Sequence, residues 1–342
     1  MDSINPNFKR RPQRPLSNAD DLLKGILAGN RSKLGQALTL CESKLATHRK
    51  EAEKLLQMAL PHSGNSVRIG ITGVPGVGKS TFIEAFGEYL ISQGNKVAVL
   101  AIDPSSAKTG GSILGDKTRM ELLTQNENAF IRPSPSGGSL GGVARRTRES
   151  ILLCEAAGYN VILVETVGVG QSETTVKNMV DFFMLLMLAS AGDELQGIKR
   201  GIMEMADLVL INKADSPDDP QVKMAMGDYK RALHLFPAND NEWIPPVQAC
   251  SALNKTGLEA AWSSIEQFQN QQKLKGYWAQ NRSKQALSWF EDSIGEIILE
   301  QVRASDKFNT FYQAKKEAVA QGEIEPGLAA HALANEILKH SF

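Results

Sequence analysis

Between residues 73 and 80 the chain reads Gly73-Val74-Pro75-Gly76-Val77-Gly78-Lys79-Ser80, and Thr81 opens a helical run. Glycines spaced in this way let the backbone curl until successive N–H groups face one point, and a helix N-terminus directly behind them adds a favourable dipole for an anion. A lysine at this place reaches the outer phosphates of a nucleotide, and a serine hydroxyl after it binds the accompanying divalent cation. The residues from Gly73 to Thr81 are therefore expected to cradle a nucleoside triphosphate, with Lys79 supplying catalytic charge and Ser80 a ligand to Mg²⁺.

A second constellation, Asn212-Lys213-Ala214-Asp215, follows the apolar run Leu208 to Ile211. A carboxylate here accepts hydrogen bonds from guanine N1–H and the exocyclic amine, a donor pair that adenine lacks. Leaving such a buried group unpaired costs about 1–3 kcal/mol, so the loop discriminates between bases. Asn212, Lys213 and Asp215 are accordingly expected to bind the base. Cys250-Ser251-Ala252-Leu253 follows the next apolar run and matches a backbone loop that closes over guanine, which assigns Ser251, Ala252 and Leu253 to the same pocket. Either tetrapeptide alone is a weak signal, and an ordinary turn explains Ser251-Ala252. Downstream of a phosphate loop, at strand ends, they indicate GTP and GDP as ligands.

Three acids fall where a cation bound to phosphates needs them. Asp103 ends the run Val97 to Ile102, Asp116 lies in Gly115-Asp116-Lys117-Thr118-Arg119, and Glu165 ends the run Val161 to Val164. A hard divalent ion takes carboxylate oxygens directly or through water. A helix cap is the alternative for Asp103 and a solvated charge for Asp116. In Glu165-Thr166-Val167-Gly168, Gly168 is expected to offer its N–H to the γ-phosphate and so to couple the loop to nucleotide state. Small regulatory GTPases place a water-orienting glutamine directly after this glycine. Here Val169 stands there and Gln171 comes two residues later, so slow hydrolysis is expected, with Gln171 a candidate for the missing role.

These groups need a scaffold that gathers strand ends. Short apolar runs at Val67 to Thr72, Val97 to Ile102, Val161 to Val164, Phe182 to Ala189, Leu208 to Ile211 and Pro246 to Ala249 alternate with helical stretches. This pattern predicts an α/β fold with a mostly parallel sheet of the P-loop NTPase kind. Apolar spacing between Asp20 and Leu60 predicts an N-terminal helical extension, and the chain is helical again after about Lys273. The expected division is a tail and helical extension over residues 1–64, a nucleotide-binding domain over 65–272 and a C-terminal helical arm over 273–342. Leu287, Phe290, Ile294, Ile297, Ile298 and Val302 form one apolar stripe on that arm, too long for the following short helices to cover, so a two-fold dimer is expected.

Composition narrows the class. In 342 residues, 38 basic and 38 acidic side chains cancel, which gives no global field toward nucleic acid or an anionic membrane. No apolar run reaches the ~18 residues of a membrane span. Cys41, Cys154 and Cys250 match no metal-ligand or redox spacing and fit buried thiols in a reducing, cytoplasmic compartment. Lys9, Arg10, Arg11 and Arg14 hint at a transit peptide, but Pro6, Pro12 and Pro15 break any amphipathic helix, and a disordered tail is expected.

The segments Ala101-Ile-Asp-Pro-Ser-Ser106, Thr109 to Met120, Glu165-Thr-Val-Gly-Val-Gly-Gln-Ser-Glu173 and Gly192-Asp-Glu-Leu-Gln-Gly-Ile-Lys-Arg200 closely resemble the methylmalonyl-CoA mutase-associated GTPases (MeaB, ArgK and MMAA). The resemblance covers about Asp20 to Leu274. It implies a homodimer held through C-terminal helices and a chaperone of the adenosylcobalamin-dependent mutase, or of a related mutase, that gates cofactor loading and protects the enzyme. It also implies that Asp103, Asp116 and Glu165 are the Mg²⁺-associated acids, that residues 165–173 form switch II, and that residues 192–200 form a third switch facing the partner. Members have also been named arginine or ornithine transport kinases, for which this chain has no acceptor site or membrane segment. Arg145, Arg146 and Arg148 lie on an expected helix, either as a solvated face or as a surface for the mutase or a phosphate. Two other classes compete. A nickel or zinc metallochaperone GTPase would carry a His-rich tract or paired cysteines, and a small-molecule kinase would lack the guanine loop.

Overall fold

The computed structural model describes residues 18–43, 45–102, 120–134, 140–166, 172–189, 200–216, 218–237, 241–303 and 305–341. Strands buried on both faces need near-continuous apolar runs, and these runs supply the middle of the sheet. The strands are β1 (Val67–Gly73), β2 (Val97–Ile102), β3 (Ala129–Ser134), β4 (Val161–Thr166), β5 (Phe182–Leu188), β6 (Leu208–Asn212) and β7 (Val247–Ala249). They form a seven-stranded sheet in the order β3-β2-β4-β1-β5-β6-β7, with every described pair parallel. The α/β, P-loop-like fold class read from the sequence is thus the observed one, with β3 as an addition. That strand is at an edge and pairs only with β2, where Pro133 loses no ladder bond.

Side chains alternate between the two faces of the sheet. On one face Ala98, Leu100, Ile162, Val164 and Phe183 are covered by α1 (Ala19–Leu27), α2 (Arg31–Glu42), α3 (Ala46–Ala59), α6 (Leu140–Ala156) and α7 (Ser172–Lys177). On the other, Ile69, Ile71, Val99, Leu163, Met184 and Leu210 meet α4 (Lys79–Ser92) and α10 (Leu258–Leu274). Val209, Ile211 and Val247 pack under α9 (Pro220–Leu233) near the β7 edge. Short helices α5 (Glu121–Gln125) and α8 (Arg200–Glu204) lie in the crossovers.

The N-terminal extension is three helices. Asn18 accepts from Asp21 N at 2.8 Å to cap α1, and Asn30 accepts from Ser32 N and Lys33 N to cap α2. Arg132 of β3 pairs with Glu42 of α2, which fastens the extension to the sheet edge. The C-terminal part runs through α11 (Tyr277–Arg303), α12 (Asp306–Ala320) and α13 (Pro326–Ser341).

The root of α11 is pinned by a half-buried guanidinium. Arg282 bonds both oxygens of Asp181 at 2.8 and 2.7 Å, the carbonyls of Gly64 and Ser66 at 2.5 and 2.6 Å, and lies over the Trp278 ring. Asp181 also accepts from Arg68 N at 2.9 Å, so α11 is tied to the start of β1 and to the turn before β5. Further along, Arg145 pairs with Glu149 at 2.9 Å and reaches Glu300, while Arg148 faces Asp292 at 3.8 Å and stacks on Trp289. Arg145 and Arg148 therefore face α11. The stripe expected on that helix is exposed at Leu287, Phe290, Ile294 and Ile298. Among the described residues no helix is long and apolar enough to cross a membrane.

Candidate functional site

The residues singled out for chemistry converge on the carboxyl-terminal edge of the sheet, where parallel α/β sheets open a crevice. Gly73 ends β1 with φ +156°, and a Cβ there would sit 2.5 Å from the Leu186 carbonyl. Val74, Pro75, Gly76 and Val77 carry the loop to Gly78, whose φ of +93° makes the left-handed turn into α4. A Cβ on Gly78 would lie 3.1 Å from Asn212 Nδ2, so that position combines a left-handed backbone with a close neighbour. Lys79, Ser80 and Thr81 form the first turn of α4, and the N–H groups of that turn have no intrahelical acceptor.

Lys79 Nζ donates to the carbonyls of Gly73 at 2.9 Å and Val74 at 3.4 Å, which holds the ammonium over the loop. Burial pulls its pKa below the ordinary lysine value, against the opposing charges of Glu165 and Glu173. Glu165 shares its sheet face with Leu163, the face covered by α4, and lies in register between Ile71 and Ala101. Glu173, in the first turn of α7, is 2% exposed. Its burial beside the phosphate loop is a feature that composition does not reveal. The one hint in the sequence is its place at the start of a helix after the Glu165 loop.

The base loop is wired to the phosphate loop through Asn212, the last residue of β6 and 2% exposed. Its Nδ2 donates to Val77 O at 2.8 Å, and its Oδ1 accepts from Ala252 N at 3.3 Å and from the Cys250 thiol at 3.5 Å. One amide thus joins the phosphate loop to both loops of the base site. Lys213 follows with φ +60°, a strained value for a side chain of this kind. Asp215 is exposed, and one of its oxygens accepts from the buried Ser251 hydroxyl at 2.5 Å. Ser251 Oγ in turn accepts from Asn254 N at 3.0 Å, and Asn254 Nδ2 donates to Asp215 O at 3.4 Å. Asn254, absent from the sequence reading, completes the frame around the carboxylate. Ala252 is buried and Leu253 is 76% exposed. Burial pushes the Cys250 thiol up to about 12, so it acts as a neutral packing group.

Asp103, Asp116, Gly168, Val169 and Gln171 lie outside the described residues, as do residues 192–199 of the expected third switch. The N-terminal tail over residues 1–17 lies outside them as well.

Comparison with known proteins converges on one group. The model of the family described as methylmalonyl Co-A mutase-associated GTPase MeaB matches residues 34–307. The GTPase ArgK of Escherichia coli (strain K12) is 48% identical over 304 residues, covering 89% of this chain and 92% of that protein. A Mus musculus protein named methylmalonic aciduria type A homolog, mitochondrial, is 44% identical over 324 residues, covering 92% and 78%. Among solved structures, that of a LAO/AO transport system kinase superposes with a TM-score of 0.71 at 40% identity, covering 94% of this chain and 97% of the other.

Proposed function

The chain belongs to the methylmalonyl-CoA mutase-associated GTPases, and on that premise we propose that its GTP hydrolysis gates adenosylcobalamin loading into a client mutase and protects that enzyme from inactivation. The observation that carries the nucleotide chemistry is the Asn212 amide, which bonds the phosphate loop and the base loop into one unit. In this reading Gly73 to Thr81 hold the phosphates, Asp215 accepts from the guanine edge, and Ser251 and Asn254 orient its carboxylate. Ala252 and Leu253 cover the base.

Ser80 and Glu165 suit Mg²⁺. Both present hard oxygen donors beside the phosphate loop, and the charge of Glu165 is felt at Lys79. The ion would neutralise developing phosphate charge; Asp103 and Asp116 are proposed to complete its surroundings. Lys79, now bonded to loop carbonyls, would turn to the β- and γ-phosphates when they displace it. Gly168 is proposed to sense the γ-phosphate, and Gln171 to orient water once a client reshapes the loop. Residues 65–272 form the proposed nucleotide-binding domain, and residues 273–342 the dimerisation arm, with the exposed stripe of α11 at the two-fold axis. The proposed setting is the cytoplasm, together with the mutase.

Single-turnover GTP hydrolysis with and without purified methylmalonyl-CoA mutase tests the gating. Slow turnover alone and strong acceleration by the mutase are expected, since a group supplied at the transition state is worth up to ~10³–10⁵ in rate. Fast hydrolysis by the isolated protein refutes gating. Equal acceleration in Gln171→Ala moves the water-orienting role to another residue.

A further inference from the structure

The sheet is built from two halves that carry different parts of the site. Strands β1, β6 and β7 lead into the phosphate and base loops, with β5 between β1 and β6, whereas β4, paired with β2, carries Glu165 as its penultimate residue. The halves meet where β1 lies beside β4. Within the first half, β1 remains paired with β5 out to Gly73↔Leu186. Within the second, β4 remains paired with β2 out to Ile102↔Thr166. Between the halves the ladder stops earlier, at Ile71↔Glu165. The backbone ladder of this seam therefore ends one rung short of Thr72 and Thr166.

One residue beyond the last rung, Thr166 Oγ1 donates to Thr72 Oγ1 at 2.7 Å. Thr72 is 1% exposed and Thr166 is fully buried. They share the face covered by α7, opposite to the face that carries Glu165. Thr72 directly precedes Gly73 of the phosphate loop, and Thr166 directly follows Glu165.

We propose that the Thr72–Thr166 hydroxyl pair is a positioning device, a side-chain rung that sets the distance between the phosphate-binding half of the sheet and the half bearing Glu165. The proposal rests on the reading of Glu165 as a Mg²⁺-associated acid. Stability does not account for two hydroxyls in this apolar layer, because replacing both partners of a buried hydrogen bond by apolar groups of the same shape is close to neutral. Valine has that shape and suits strands. What the hydroxyls add is a directional link of fixed length. A cation held jointly by Ser80 on one half and Glu165 on the other is sensitive to that length, because its ligand geometry tolerates little displacement. Base and phosphate recognition belong to the first half alone and are not sensitive to it.

The test is the Mg²⁺ concentration that half-saturates GTP hydrolysis, measured for the full chain as wild type, Thr72→Val, Thr166→Val, the double valine variant, Thr166→Ser and Glu165→Gln. The valine variants are expected to need roughly five- to tenfold more Mg²⁺, the factor that corresponds to one net hydrogen bond. Their GDP affinity without Mg²⁺ should stay within about twofold, and the double variant should melt no lower than wild type. Thr166→Ser keeps the hydroxyl and loses a buried methyl, so it should melt lower yet keep the wild-type Mg²⁺ requirement. Stability and Mg²⁺ response thus move in opposite senses between the serine and valine variants. A normal Mg²⁺ requirement in the double valine variant overturns the proposal when Glu165→Gln alters it. If Glu165→Gln also leaves it unaltered, the Glu165 assignment falls and the positioning role with it. A requirement that follows melting temperature through the series reduces the pair to packing.

Discussion

Replacing Arg282 by methionine should cost about 3–5 kcal/mol of stability, the range for breaking a buried ion pair by removing one partner. The Asp181 side chain is 2% exposed, and without the guanidinium it keeps only the Arg68 N–H as a described donor. The carbonyls of Gly64 and Ser66 also lose their Arg282 donors. The buried Ser66 carbonyl, left unsatisfied, adds about 1–3 kcal/mol when water is excluded, whereas the exposed Gly64 can turn to water. Arg282 is itself 16% exposed, so water can reach part of the vacated space, and the lower range is the better expectation. Against a typical total of about 5–15 kcal/mol, this is a large fraction. Urea denaturation at neutral pH, with wild type, Arg282→Met, Asp181→Asn and the double variant, measures both the loss and its coupling. The coupling between the two side chains should be about 1–3 kcal/mol. A loss in Arg282→Met below about 1 kcal/mol, with an unchanged denaturant slope, would refute the pinning role and leave the root of α11 to apolar packing.

Other expectations rest on separate parts of the molecule. Asp215→Asn should exchange GTP for xanthosine triphosphate, since the amide presents a donor where the carboxylate accepted; competition binding reads the swap, and unchanged GTP affinity refutes the assignment. Burial pushes the Glu155 carboxyl up, but the Arg68 guanidinium, the Ser66 hydroxyl and the Gly64 N–H outweigh it and hold it below its ordinary 4.5. Its contribution is therefore present above pH 4.5 and lost as pH falls through the lower native value, so urea midpoints should decline more steeply below pH 4.5 in wild type than in Glu155→Gln. Phe290→Asp and Ile294→Asp on the exposed stripe should yield monomers that still bind GDP, as judged by sedimentation. Dimers in both variants would exclude that face as the interface. These substitutions are a cleaner probe than truncation after Gln272, which also removes Arg282 and unpairs Asp181.

The phosphate and base loops were legible in the sequence because their chemistry is contiguous, and each follows a run of apolar residues long enough to announce a strand. The β3 strand was not legible. Its central Arg132 and Pro133 break the apolar alternation, and both are tolerated because the strand pairs on one side only, with Arg132 turned to Glu42. Partnerships across long separations left no trace either. Arg145 and Arg148 read equally well as a solvated face, and only the placement of α11 shows Glu300 and Asp292 opposite them. Thr72 and Thr166 are 94 positions apart and look like ordinary strand residues until the register sets them side by side. Glu173 was legible only as the end of the expected switch II, and not as a buried charge near Lys79.

The two margins of the sheet also bear on how the chain avoids sticking to itself. An open parallel sheet offers a row of unused N–H and C=O groups at each side, a template for uncontrolled strand addition by other copies. One margin, β3, carries a proline that cannot donate and an arginine anchored to α2; the other, β7, is three residues long. Neither presents a straight, fully donating row for another strand to follow. Fibre-like growth through backbone pairing is thereby discouraged at both sides, and lawful self-association is left to helical surfaces.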